Sequence, residues 1–252
     1  MKLSRYLFAV LFCFLAIDWA QGQSNKTAEA LLKARAELHE GDLKANKDRL
    51  MKARSLMESL AQDKNVAALA HYYAGFARWR LSAMLSGEES LKELENAVEP
   101  LKNAIKLDPD FADAYALLHT CVAQQPKLRP LPEYRGLLER AVQLAPKNPR
   151  VMLFQAMSLF FKPEQYGGNK EQGIRIWQEA ARLSEQESNQ DSLLPNWGRA
   201  EIHGWMGGAF LVMNEPQKAK EAFVKALAVY PDFWWVKDVA LPRAESQMRD
   251  KK

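Results

Sequence analysis

Apolar positions along this chain recur with the spacing of helices rather than strands. Ala97, Leu101, Ala104 and Pro109 are followed by Tyr134, Leu138, Ala141 and Pro146. Gly173, Trp177, Ala180 and Glu185 come next, then Ala219, Phe223, Ala226 and Pro231. Every quartet has internal steps of four, three and five residues. Steps of four and three keep side chains on one face of an α-helix, because one turn takes 3.6 residues. A proline five positions further on cannot continue that helix, so it marks a stop. A fainter copy reads Ala53, Met57, Leu60 and Asn65. The pattern predicts an all-α chain in which similar second helices return at intervals.

The last copy shows what precedes each of these helices. Gly207 and Phe210 lie on a first helix, Asn214-Glu215-Pro216 forms the turn, and Pro216 can open the second helix where its missing N–H costs nothing. Ala200 to Phe233 therefore resembles one tetratricopeptide repeat, a helix-turn-helix unit of 34 residues with the pattern W-x2-L-G-x2-Y, A-x3-F and a closing proline. His203 stands at the tryptophan position and Met206 at the leucine. The other copies depart further: Tyr115 and Leu118 fit the third unit but His119 replaces its small residue, and Gly41-Asp42 splits the first.

The resemblance implies an α-solenoid of about five helical hairpins plus a C-terminal capping helix. The units are expected at 27–65, 68–109, 112–146, 149–186 and 200–233, with the cap at 232–241 ending at Pro242. Three insertions interrupt the period. Gln124 to Glu133 holds three prolines, Lys162 to Lys170 holds Gly167-Gly168, and Gln186 to Arg199 reads as a polar crossing.

The N-terminus changes the setting. Lys2 and Arg5 precede an uncharged apolar run from Tyr6 to Ile17, and Ala20-Gln21-Gly22 offers a small-x-small cleavage pattern. Residues 1–22 are expected to be an export signal, the run being well short of the roughly 20 residues that span a bilayer. The mature chain would keep one thiol, Cys121, so no internal disulfide could staple it. These features favour a bacterial periplasm or secretion. Lys plus Arg is 35 and Asp plus Glu is 31, too small a surplus to point to nucleic acid. Lys127, Arg129, Arg135, Arg140, Lys147 and Arg150 form a local basic stretch, read first as a solvated face.

Catalytic chemistry has no sequence signal here. Gly204, Gly207 and Gly208 lack the preceding strand of a dinucleotide fingerprint. His39, His71, His119 and His203 form no HxxxH pair with an acid beside it, and Cys121 reads as a buried small hydrophobe. The expectation is a non-enzymatic protein with no metal and no cofactor.

In the tetratricopeptide family the first helices line a concave face that takes a peptide or a partner helix. The resemblance puts Tyr72, Phe76 and Trp79 there from the second unit and Thr120 from the third. Leu153, Met157 and Phe160 come from the fourth, and Glu201, Gly204 and Gly208 from the fifth. The expectation is an interaction scaffold with an apolar groove for a peptide or partner helix. The alternative is a periplasmic small-molecule-binding repeat protein, resembling the accessory subunit of an uptake system. A one-residue change of register would instead turn the same aromatics onto the protein's own neighbours.

Overall fold

The computed structural model of the protein describes residues 25–187 and 192–250, and the expected export signal, residues 1–22, lies outside them. Among the described residues the regular structure is helical throughout. Five hairpins follow in order: α1 (25–43) with α2 (Lys47–Leu60), α3 (Ala67–Ala83) with α4 (Gly87–Leu107), α5 (Ala112–Gln124) with α6 (Leu137–Leu144), α7 (Pro149–Phe161) with α8 (Lys170–Gln186), and α9 (Arg199–Val212) with α10 (Pro216–Val229). A π-wound segment (Trp235–Ala240) leads directly into α11 (Leu241–Arg249). Helices adjacent in the chain pack on one another, and the first helices α3, α5 and α7 each also pack on the next first helix in the series. The product is a tetratricopeptide-like α-solenoid.

The recurring quartets are the buried seams of the second helices. Ala97, Leu101 and Ala104 are fully buried, as are Trp177 and Ala180, and Ala219, Phe223 and Ala226. Small and large positions interlock across each hairpin. A Cβ on Gly207 would lie 2.5 Å from the Phe223 ring, so α9 and α10 can close only around a glycine. Full burial of a side chain such as Phe223 contributes about 2 kcal/mol, and the ladder repeats that contribution from hairpin to hairpin. The ends of the helices follow local chemistry: Asn148 accepts from the amides of Arg150 and Val151, and Asn169 accepts from Gln172.

Several boundaries differ from those read in the sequence. Helix α1 runs through Gly41 and Asp42, and the turn falls at 44–46, where Ala45 takes a positive φ of 52°. Tyr134 sits in a 3-10 turn, and α6 starts only after Gly136, whose φ of 75° breaks the helix that the quartet predicted to begin earlier. The terminal helix does not stop at Pro242. The Leu241 amide reaches back five residues to the Val236 carbonyl, and the proline, which has no N–H to offer, sits where π winding hands over to α.

Candidate functional site

The ten residues expected on the concave face separate into two groups. Tyr72, Phe76, Trp79, Leu153, Phe160 and Glu201 are buried against their own chain. Thr120 is also buried, and its hydroxyl donates to the Ala116 carbonyl at 3.0 Å instead of facing a ligand. Met157 and Gly208 keep partial exposure, while Gly204 lies beneath the terminal helix. The concave face is therefore filled at eight of these ten positions, its closed half, and stays open only toward Gly208, its open half.

Filling begins with an aromatic cluster. Tyr72 lies 4.9 Å from Phe111, Phe76 lies 5.7 Å from Trp79, and Trp79 reaches across to Phe154 at 5.4 Å. Trp197, from the connection before α9, enters between them at 4.6 Å from Phe76 and 5.9 Å from Phe154. Its indole N–H donates to the Tyr72 hydroxyl at 2.9 Å. A stretch read as a polar crossing thus places a buried tryptophan in the concave face.

Two buried arginines close the same region. Arg80 donates through Nε to Asp42 at 2.7 Å, lies 3.6 Å from a Glu201 carboxylate oxygen, and stacks 4.6 Å above the Trp79 ring. It joins α1, α3 and α9. Burial pushes the carboxyls of Asp42 and Glu201 above the ordinary range, against the pull of the Arg80 guanidinium. Arg150 donates through Nε to Asp113 at 2.6 Å and holds both oxygens of Glu187 at 2.7 and 2.9 Å. Paired carboxylates outweigh burial at Arg150 and raise its pKa. It is therefore no part of a surface basic patch, unlike the exposed Lys127, Arg129 and Arg135. His39 lies near Arg35 and Arg80. Burial first, then those two cations, lower its imidazole to about 4, so the ring is neutral at pH 7. The ends of the superhelix also meet, through Tyr230 donating to Glu40 at 3.0 Å and Lys44 at 3.7 Å from Asp232.

The open half lies between α7, α9 and the terminal helix. A cleft of about 240 Å³ there is lined by Phe161, Trp205, Leu211, Val212, Trp235 and Val239. Three of these are markedly exposed: Phe161 at 53%, Val212 at 61% and Val239 at 46%. Exposed apolar residues are ordinary when scattered, but here they share one concavity. Trp205 stands 6.1 Å from Trp235 and 6.2 Å from Phe161. A Cβ on Gly208 would come within 3.3 Å of the Trp235 ring, so the glycine lets that ring lie against α9. In π winding a turn takes between about four and five residues, so Val239 and Ala240 both come to the cleft beside Trp235. Arg243 stands at the rim and has no ion pair among the described residues.

Sequence reasoning missed Trp205 and the terminal helix as walls of this cleft. The adjacent pair Trp234-Trp235, which most simply seals the last hairpin, was the available signal. Trp235 makes that seal, at 6.1 Å from Phe223, and it also forms a wall of the cleft. No group of three His, Cys, Asp or Glu side chains is placed to hold a metal among the described residues, and no described helix is long and apolar enough to cross a membrane. Cys121 is buried, which pushes its thiol far above the ordinary range.

No family model matches the chain. Type IV pilus assembly protein PilF of Pseudomonas aeruginosa is 33% identical over 135 residues, a stretch that amounts to 53% of this chain and 46% of that protein. The similarity therefore spans about half of each. Among solved structures, the thermophilic tetratricopeptide protein TTC0263 of Thermus thermophilus aligns over 86% of this chain and 99% of its own, at 16% identity and a TM-score of 0.49. MamA of Desulfovibrio magneticus aligns over 78% of this chain and 94% of its own, at 18% identity and a TM-score of 0.37.

Proposed function

We propose that this protein is an exported, non-enzymatic scaffold that docks the apolar face of a partner helix or peptide in the open half of its concave face. One observation carries the reading: Phe161, Val212 and Val239 are exposed together on the walls of one apolar cleft. Burying such a patch is favourable by roughly 25 cal/mol per Å², and side chains spaced along one face of a helix suit a trough between helices. Arg243 at the rim, without an ion pair among the described residues, favours a partner with an acidic residue beside its apolar face.

Size separates this reading from carriage of a small molecule in the same cleft. Ligand sites commonly enclose roughly 300 to 1,000 Å³. At about 240 Å³, open at the surface and bounded mostly by hydrocarbon, the cleft suits a few side chains of a larger partner. The charged and apolar order of residues 1–22 supports export. The partial similarity to a pilus assembly protein supports assembly of a bacterial envelope machine over transport of a metabolite.

The test is peptide selection by phage display against the purified protein and against a Val212→Asp, Val239→Asp variant. Selected sequences should carry apolar residues at helical spacing and lose at least tenfold in affinity for the variant. Ligands indifferent to both substitutions would overturn the reading. A retained adduct of a few hundred daltons in native mass spectrometry, lost in the same variant, would replace it with the small-molecule alternative.

A further inference from the structure

The closed half of the concave face contains a ligand-like segment of the protein's own chain. Residues 192–198 run before α9 and meet three other hairpins. Arg35 of α1 donates from Nη1 to three successive carbonyls, of Ser192 at 2.8 Å, Leu193 at 3.3 Å and Leu194 at 2.8 Å. Trp197 inserts its ring between Phe76 of α3 and Phe154 of α7, with its N–H on the Tyr72 hydroxyl. The Trp197 carbonyl accepts from Arg150 of α7 at 3.3 Å. A local connection between two helices does not require these contacts, whose hydrogen-bond partners lie 47 to 159 residues away in sequence. The carbonyls of a turn gathered on one guanidinium, followed by one ring in an aromatic pocket, hold this segment as a bound peptide would be held.

We infer that the closed half is a recognition surface for a short peptide that makes a turn and then presents a tryptophan, occupied in this chain by its own segment 192–198. The chemistry of the seat defines the partner. A guanidinium reads consecutive carbonyls without regard to side chains, so that part of the peptide is unrestricted in sequence. The pocket between Phe76 and Phe154 asks for a flat ring, and Tyr72 accepts from a ring N–H, which selects tryptophan over phenylalanine. Tethering raises the effective concentration of the resident segment to the millimolar range, so it excludes a free peptide of equal intrinsic affinity. A partner gains access by presenting the same chemistry more strongly, or after the resident's hold is weakened. This surface is independent of the open cleft, since Trp197 and Arg35 do not line that cleft.

The experiment uses the full chain and a labelled synthetic peptide of residues 192–198, followed by fluorescence polarisation. The wild type should take up little peptide. Trp197→Ala, which empties the pocket, should bind it at least tenfold more tightly. The same peptide with alanine for tryptophan should not bind, and adding Phe154→Ala to the variant should abolish uptake. A folded Trp197→Ala protein that takes no peptide at millimolar concentration overturns the proposal. If that variant loses its helical circular dichroism, hydrogen exchange on the wild type decides. The Trp197 indole and Gly198 amide hydrogens should exchange at least tenfold faster than the slowest amides of α3 and α7, through release of the segment alone. Equal protection at those sites would make Trp197 a plain core residue and overturn the proposal.

Discussion

The two halves of the concave face are built from the same kind of helix and have opposite fates. In the closed half, α1, α3, α7 and the start of α9 converge, and Trp197, Arg80 and Arg150 bind them across the interior. In the open half, α9 presents Trp205 and Gly208 to a terminal helix that covers them only in part. The difference lies in what each half can satisfy internally. The closed half has carboxylates and arginines whose charges meet within hydrogen-bond distance, and an aromatic ring supplied from a loop to fill the space left between helices. The open half has hydrocarbon walls, one rim arginine and, among the described residues, no further segment laid over them. A solenoid face becomes core or docking surface according to what else the chain can bring to it.

The sharpest way to break this contrast is at Arg150. Arg150→Met leaves Asp113 buried beside a neutral thioether, and removal of one partner from a buried pair costs about 3–5 kcal/mol. Urea unfolding should show that loss. A change below about 1 kcal/mol would mean that the closed half is wetter and looser than its geometry.

Acidification acts next, through His39. Its folded pKa of about 4 lies below the ordinary value of 6.5, so its contribution is present above 6.5 and is lost as pH falls toward 4. By pH 5 the loss is about 2 kcal/mol relative to pH 7.5, from 1.36 kcal/mol per pKa unit. Asp42 and Glu201 act in the opposite sense. Their raised folded values favour the protonated state, so their contribution grows as pH falls into the carboxylate range. Thermal melts at several pH values should therefore show His39→Gln losing less stability than the wild type between pH 7.5 and 5. Parallel curves would remove His39 from the account.

The smallest effect on stability belongs to the open half. Val212→Asp should shift unfolding by no more than about 0.5 kcal/mol, as exposed substitutions usually do, while removing binding of the selected peptides. A cooperative loss of stability of several kcal/mol would show that the cleft walls are core and would erase the contrast between the halves.

The second-helix ladders were readable because their information is local. Ala219, Phe223 and Ala226 share a face whatever the rest of the chain does, and Pro216 and Pro231 bracket the helix by covalent geometry alone. The concave face was readable only as a list of positions. Tyr72, Phe76 and Trp79 lie on the first helix that the repeat indicated, but whether they meet a partner or each other depends on Trp197, 125 residues from Tyr72. Arg150 looked like one of several surface cations because its partner Asp113 lies 37 positions away. The cleft was half visible: Gly208 was marked, while Trp205 and the π-wound wall opposite it carried no periodic signal of their own.

Hydrophobic period, turn residues and proline positions sufficed to determine an all-helical chain of stacked hairpins, because each acts over a few residues and survives any tertiary context. Tertiary structure alone decided which stretch of the inner face is sealed and that Trp235 reaches across to Trp205. Those outcomes depend on how far the superhelix curves before its ends meet at Glu40 and Tyr230, a sum of small rotations between hairpins that no single segment encodes.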